Sequence, residues 1–217
     1  MRRVVDIGRR IELVSMDLYF HDITVGLYRQ PIADASAGDD FFGFRVHTYS
    51  QREGASERIA GIVAAMMRLG GLCKTAEGLL YFRCKHAHEA ACRRVFLEAC
   101  KLEPGAPVVP RPLEVLDKKS ALTIQVASLG DGLYEVYTTG EARGAARRVS
   151  AIAGGLVKLG EMESPTESRT RVRFGCGESH DALVGLLLVR APNVRVALRE
   201  TEQGSARGVL AAPSQQL

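Results

Sequence analysis

Two Cys-x-x-x-His spacings stand out in the chain, Cys84 with His88 and Cys176 with His180. Thiolate sulfur and imidazole nitrogen both ligate zinc, and a complete site needs four protein ligands, or three and a water. One chain supplies four such groups only if the two stretches are brought together. The first stretch also holds His86 and Cys92, but Glu178 and Val184 stand at the matching places in the second. Neither CxxC nor HxxxH spacing supports a closed zinc site, so the expectation is a chain without stoichiometric metal. The same four residues are candidates for nucleophilic or acid–base catalysis, because a helix N-terminus and a nearby imidazolium both lower a thiol pKa. The plainest reading makes the cysteines small buried hydrophobes and the histidines helix caps.

A second constellation lies in YSQREGASER and YTTGEARGAARR, each joining a strand to a helix through hydroxyls, glycine and arginines. Helix N-termini offer unpaired N–H groups to an anion, and arginine forks onto phosphate or carboxylate oxygens. Ser50, Arg52 and Arg58 in the first stretch, with Thr139, Arg143 and Arg148 in the second, are therefore the candidate anion-binding residues. The ordinary alternative places the hydroxyls at caps and the arginines on a solvated face.

These constellations recur because the chain repeats itself. FRVHTYSQREGASERIAGIVAAMMRLGGL from Phe44 aligns without a gap to YEVYTTGEARGAARRVSAIAGGLVKLGEM from Tyr134. LYFRCKHAHEA from Leu80 then aligns to VRFGCGESHDA from Val172. The reading is an internal duplication, with residues 1–103 as the first repeat and 113–202 as the second. Residues 104–112 form a proline-rich linker, and 203–217 read as a disordered tail.

Each repeat must place its chemistry with a small set of elements. DITVGLY and FRVHTYS read as a hairpin, as do ALTIQVAS and LYEVYTT around GDG. Ile59, Ile62, Val63, Met66 and Leu69 form one helical face that Gly70-Gly71 ends; Val149, Ile152, Leu156 and Leu159 repeat it. LLYFRC and RVRFGC read as short strands, followed by a helix with Cys92, Val95, Phe96 and Ala99 inward and by the apolar ALVGLLLV. NVRVALRE fits strand or helix. The expected fold is α+β, a duplicated β-β-α-β-α unit. Each unit has a mixed sheet with a parallel crossover pair, helices on one face, and a pseudo-twofold axis between the units.

Composition sets the outer limits. Of 217 residues 46% are hydrophobic and 25% charged, which fits a globular chain and not a disordered one. No apolar run approaches the roughly 18–20 residues that span a bilayer, so no membrane partner is expected. Five cysteines in a chain of this length argue against a disulfide framework and for a cytoplasmic home. The net charge of +4 is compatible with phosphate-bearing ligands or RNA and demands neither. Aromatic residues are 6% of the chain, so an RNA platform would rest on few rings, among them Phe44, Tyr49, Tyr81, Tyr134 and Tyr137. The expected function is binding of a small anionic ligand in a cleft between the repeats. The competing class is a non-catalytic module for RNA or assembly, and a homo-oligomer is compatible with either. No cofactor and no reaction type follow from the residues.

Overall fold

The computed structural model describes residues 16–20, 23–32, 41–103, 105–140, 142–165 and 168–194, the side chains of 16–20 excepted. The tail from Gln203, residues 195–200 of NVRVALRE, and residues 33–40 lie outside these residues. The first half runs β1 (Met16–Phe20), β2 (Ile23–Ile32), β3 (Phe41–Thr48), α1 (Ala55–Gly70), β4 (Cys73–Lys74), β5 (Leu80–Tyr81) and α2 (Glu89–Cys100). The second runs β6 (Glu114–Asp117), β7 (Leu122–Gly130), β8 (Leu133–Thr138), α3 (Ala145–Gly160), β9 (Arg171–Arg173) and α4 (Asp181–Leu188). A 3-10 turn, Ala191–Asn193, follows. The protein is α+β, with strand orders β1-β2-β3-β5-β4 and β6-β7-β8-β9.

Among the described residues every strand pairing is antiparallel, which corrects the expected mixed sheets with a parallel crossover pair. The reason is a short hairpin that periodicity does not reveal. After α1 the chain first lays down β4, turns through Thr75–Gly78 and returns as β5, which slots between β3 and β4. In the second half Glu163 makes the same outward step by bridging to Arg173. Each crossover thus ends one strand earlier than LLYFRC and RVRFGC suggest, and those two segments return antiparallel to β3 and β8.

Alternation determines which face each sheet buries. Val25, Leu27, Phe44 and Val46 are buried on the first sheet, and Ile124, Val126, Tyr134 and Val136 on the second. Against these faces lie α1 and α3, whose buried residues include Ile62, Met66 and Leu69, and Ile152, Leu156 and Leu159. Gly71 ends α1 in the left-handed region at φ 66°, where glycine carries no Cβ penalty. The helices of the two halves also pack on one another, α1 on α4 and α2 on both α3 and α4. One continuous apolar core therefore runs through both halves. Among the described residues no helix is long and apolar enough to cross a membrane.

Candidate metal centre

The turns that carry the Cys-x-x-x-His spacings are built alike. β5 ends in a tight turn in which Lys85 N–H donates to Phe82 O at 2.8 Å; after β9, Gly177 N–H donates to Phe174 O at 3.1 Å. The residue after each cysteine is left-handed, Lys85 at φ 63° and Gly177 at φ 74°. That twist turns the chain back over the sulfur, and Glu178 N–H points to Cys176 Sγ at 3.4 Å. His88 and His180 then stand at the N-terminal ends of α2 and α4, where each closes on its own cysteine. Cys84 Sγ lies 3.2 Å from His88 Nε2, and Cys176 Sγ lies 3.3 Å from His180 Nε2.

Packing of the helices across the halves brings the two pairs to one point. The two sulfurs and two imidazole nitrogens all lie within 4.8 Å of one another. Ligands on a tetrahedral zinc, with Zn–S near 2.3 Å and Zn–N near 2.0 Å, stand about 3.5 Å apart, so a sulfur–nitrogen pair at 3.2–3.3 Å is close to that spacing. Phe82 and Phe174 wall the cluster. Each presents its ring edge-to-face to both histidines, at centroid distances of 4.9–5.6 Å.

Electrostatics in this half-buried setting favour uncharged groups. Burial lowers the His88 pKa to about 4, with His180 and His86 adding to the effect, and burial likewise lowers His180. Burial pushes the Cys84 thiol up to about 12, and the neighbouring Cys176 raises it further. The imidazoles are therefore neutral, with lone pairs ready to ligate. A divalent cation bound by both sulfurs as thiolates would leave a complex of zero net charge, which suits burial. A cavity of about 220 Å³ between the halves reaches this cluster, lined by Gly70, Gly71, Arg83 and Cys84 on one side and residues 178–182 on the other.

The second half supports its histidine with a contact the first half lacks. Tyr134, fully buried, accepts a hydrogen bond from His180 N–H at 2.5 Å and donates one to Asp181 Oδ1 at 2.9 Å. Phe44 stands at the aligned position in the first half, and Glu89 there pairs with Arg29 instead. Sequence inspection gave Tyr134 a stacking role. Its role as a polar support follows only from its burial beside the α4 N-terminus.

The arginine candidates lie elsewhere. Arg58 donates to the Cys100 and Leu102 carbonyls, both at 2.7 Å, and so caps the C-terminal end of α2. Arg148 does the matching work in its half, donating to Pro192 O at 2.8 Å. It also forks onto Asp117, Nε to Oδ2 at 2.5 Å and Nη2 to Oδ1 at 2.8 Å. Asp117 is buried and was not singled out by sequence, because its partner lies in another element. Ser50 Oγ accepts from Arg52 N–H within its own turn, while Thr139 and Arg143 are exposed. A cavity of about 250 Å³ beside Arg58 and Arg68 is walled by α1, by Ala99 near the end of α2 and by Leu102, Glu103, Ala106 and Val108. It lies apart from the Cys/His cluster.

No family model matches the chain, and neither curated proteins nor solved structures give a match.

Proposed function

We propose that the protein is a metalloprotein in which one zinc-like divalent ion, held by Cys84, His88, Cys176 and His180, clamps the two halves together. One observation carries this reading: four soft and borderline ligand atoms, two from each half, converge within 4.8 Å. Two thiolates and two imidazoles suit zinc, and four protein ligands make a closed, structural site rather than one with an open catalytic position. The earlier expectation of no metal rested on the absence of CxxC spacing within one stretch; here the second pair comes from the other half of the chain. In the same reading the chain is a duplicated unit, and the ion sits on its pseudo-twofold axis. The common offset of the Cys and His pairs and the shared use of Phe82 and Phe174 support this.

Binding of a small anion in the cleft between halves remains the second reading, and Arg83 is the observation in its favour. Glu178 and Asp181 line the same cavity, a balance that suits a cation better. Elemental analysis of purified protein separates the two. About one zinc per chain is expected, lost in Cys84→Ser and in Cys176→Ser. Cobalt substitution should give the intense visible bands of a tetrahedral thiolate site. Folded protein that binds neither zinc nor cobalt overturns the reading.

A further inference from the structure

The outer face of the first sheet carries a strip of rings that the metal reading leaves unused. Alternation puts Tyr28 of β2 and Arg45 and His47 of β3 on the face opposite Leu27, Phe44 and Val46. Tyr49 follows directly on β3 and is 70% exposed. His47 sits between the tyrosines, 4.7 Å from the Tyr49 ring and 6.3 Å from the Tyr28 ring, while the two hydroxyls meet at 3.2 Å. Rings pinned edge-to-face by one another, His47 and Tyr49 exposed and Tyr28 half-buried, offer preset π-faces at little entropic cost.

The charge of these strands selects the occupant. On this face β2 and β3 present Arg45 and no acidic residue, Arg29 lying on the opposite face beside Glu89, and the exposed Arg52 follows Tyr49 by three positions. The corresponding face of the second half differs in its rings, and its arginines, Arg171 and Arg173, come from β9, where Arg171 pairs with Glu135. There β7 and β8 contain Glu135 and no lysine or arginine, and Ala127, Glu135 and Thr139 stand where the first half has Tyr28, Arg45 and Tyr49. Only Tyr137, paired in register with Gln125, keeps a ring on that face. An antiparallel sheet whose open face combines stacked aromatics with cationic side chains fits unpaired bases and their phosphates.

We infer that the β2–β3 face binds single-stranded RNA, with bases stacking on Tyr49, His47 and Tyr28 and phosphates drawn by Arg45 and Arg52. Fluorescence anisotropy of a labelled mixed-sequence single-stranded RNA of about twelve nucleotides tests this on the full purified chain. Tyr49→Ala and His47→Ala should each weaken binding by roughly fivefold to a hundredfold, the range that stacking one base on a ring carries. Tyr137→Ala on the other sheet should leave affinity unchanged. Binding should fall steeply with added salt and be weaker for duplex RNA. Absence of RNA binding, or binding indifferent to Tyr49 and His47, overturns the inference. So does loss of self-association in these variants without any RNA affinity in the parent, which would make the strip an interface between copies.

Discussion

The imidazole rings of His88 and His180, from opposite halves of the chain, lie 4.8 Å apart between centroids at 71° between planes. Two protonated imidazoles could not share that spacing in a half-buried site, and burial holds both in the neutral form. The protons that an entering cation must displace are therefore those of the thiols. Apparent zinc affinity should rise with pH between about 6 and 8, by up to two logarithmic units per pH unit if both sulfurs lose a proton. Competition against a chromogenic chelator across that range measures the slope. A flat profile would mean that the sulfurs do not ligate.

Tyr134 gives a finer test of the same centre. Its hydroxyl holds the backbone of His180 and the Asp181 carboxylate, and its ring is packed in the core. Tyr134→Phe keeps the ring, as Phe44 does in the first half. The expected result is a folded protein with zinc affinity lowered about tenfold, the usual size of a lost supporting contact behind a ligand. Phe44→Tyr puts a hydroxyl into the buried core of the first half, where Glu89 is already paired with Arg29, and should destabilise in thermal unfolding.

Much of the fold is legible in the sequence because alternation and helical spacing report burial directly. The β2–β3 and β7–β8 hairpins, the α1 face and the Gly70-Gly71 stop all stand where the pattern puts them. The sheets' directions were not legible, since β4 is two residues long and Glu163 forms a single bridge, too short to leave any period. Both Cys/His pairs were visible as spacings. Their convergence was not, because it depends on α2 and α4 packing across halves. Arg58 and Arg148 show the converse. They stand at matching places in α1 and α3, and their targets, the carbonyls at the end of α2 for Arg58 and Asp117 with the Pro192 carbonyl for Arg148, are ones that no spacing rule reveals.

The Arg148–Asp117 pair should govern acid stability. Asp117 is held far below its ordinary pKa, first by hydrogen bonds from Arg148 and also by Ser120 and the Lys119 N–H. A carboxyl whose folded pKa is depressed contributes stability above its unfolded value, near pH 4, and loses it as pH falls toward the folded value. Asp117→Asn should therefore flatten the acid limb of a stability–pH curve measured by urea unfolding. Arg148→Ala leaves a buried carboxylate without its guanidinium and should cost about 3 kcal/mol at pH 7. An Arg148→Ala protein of unchanged stability would show that water replaces the pair.

Two helical glycines should respond in opposite directions to the same added methyl. Gly61 lies inside α1, and a Cβ built there meets nothing within 4 Å. Alanine restricts the unfolded chain and favours helix, so Gly61→Ala should stabilise by roughly 0.5–1 kcal/mol. Gly185 lies inside α4 where the segment joining the halves crosses it, and its Cβ would fall 2.2 Å from Arg111 O and 3.2 Å from Pro112 O. Backbone cannot yield as a flexible side-chain tip can. Gly185→Ala must push that segment off the helix and should cost about 1–3 kcal/mol despite the better helix propensity. Thermal unfolding of both variants at one metal concentration gives the comparison. Equal stabilisation of the two would mean that residues 111–112 do not rest on α4, and that the two halves are joined by a looser strap than the packing at Gly185 requires.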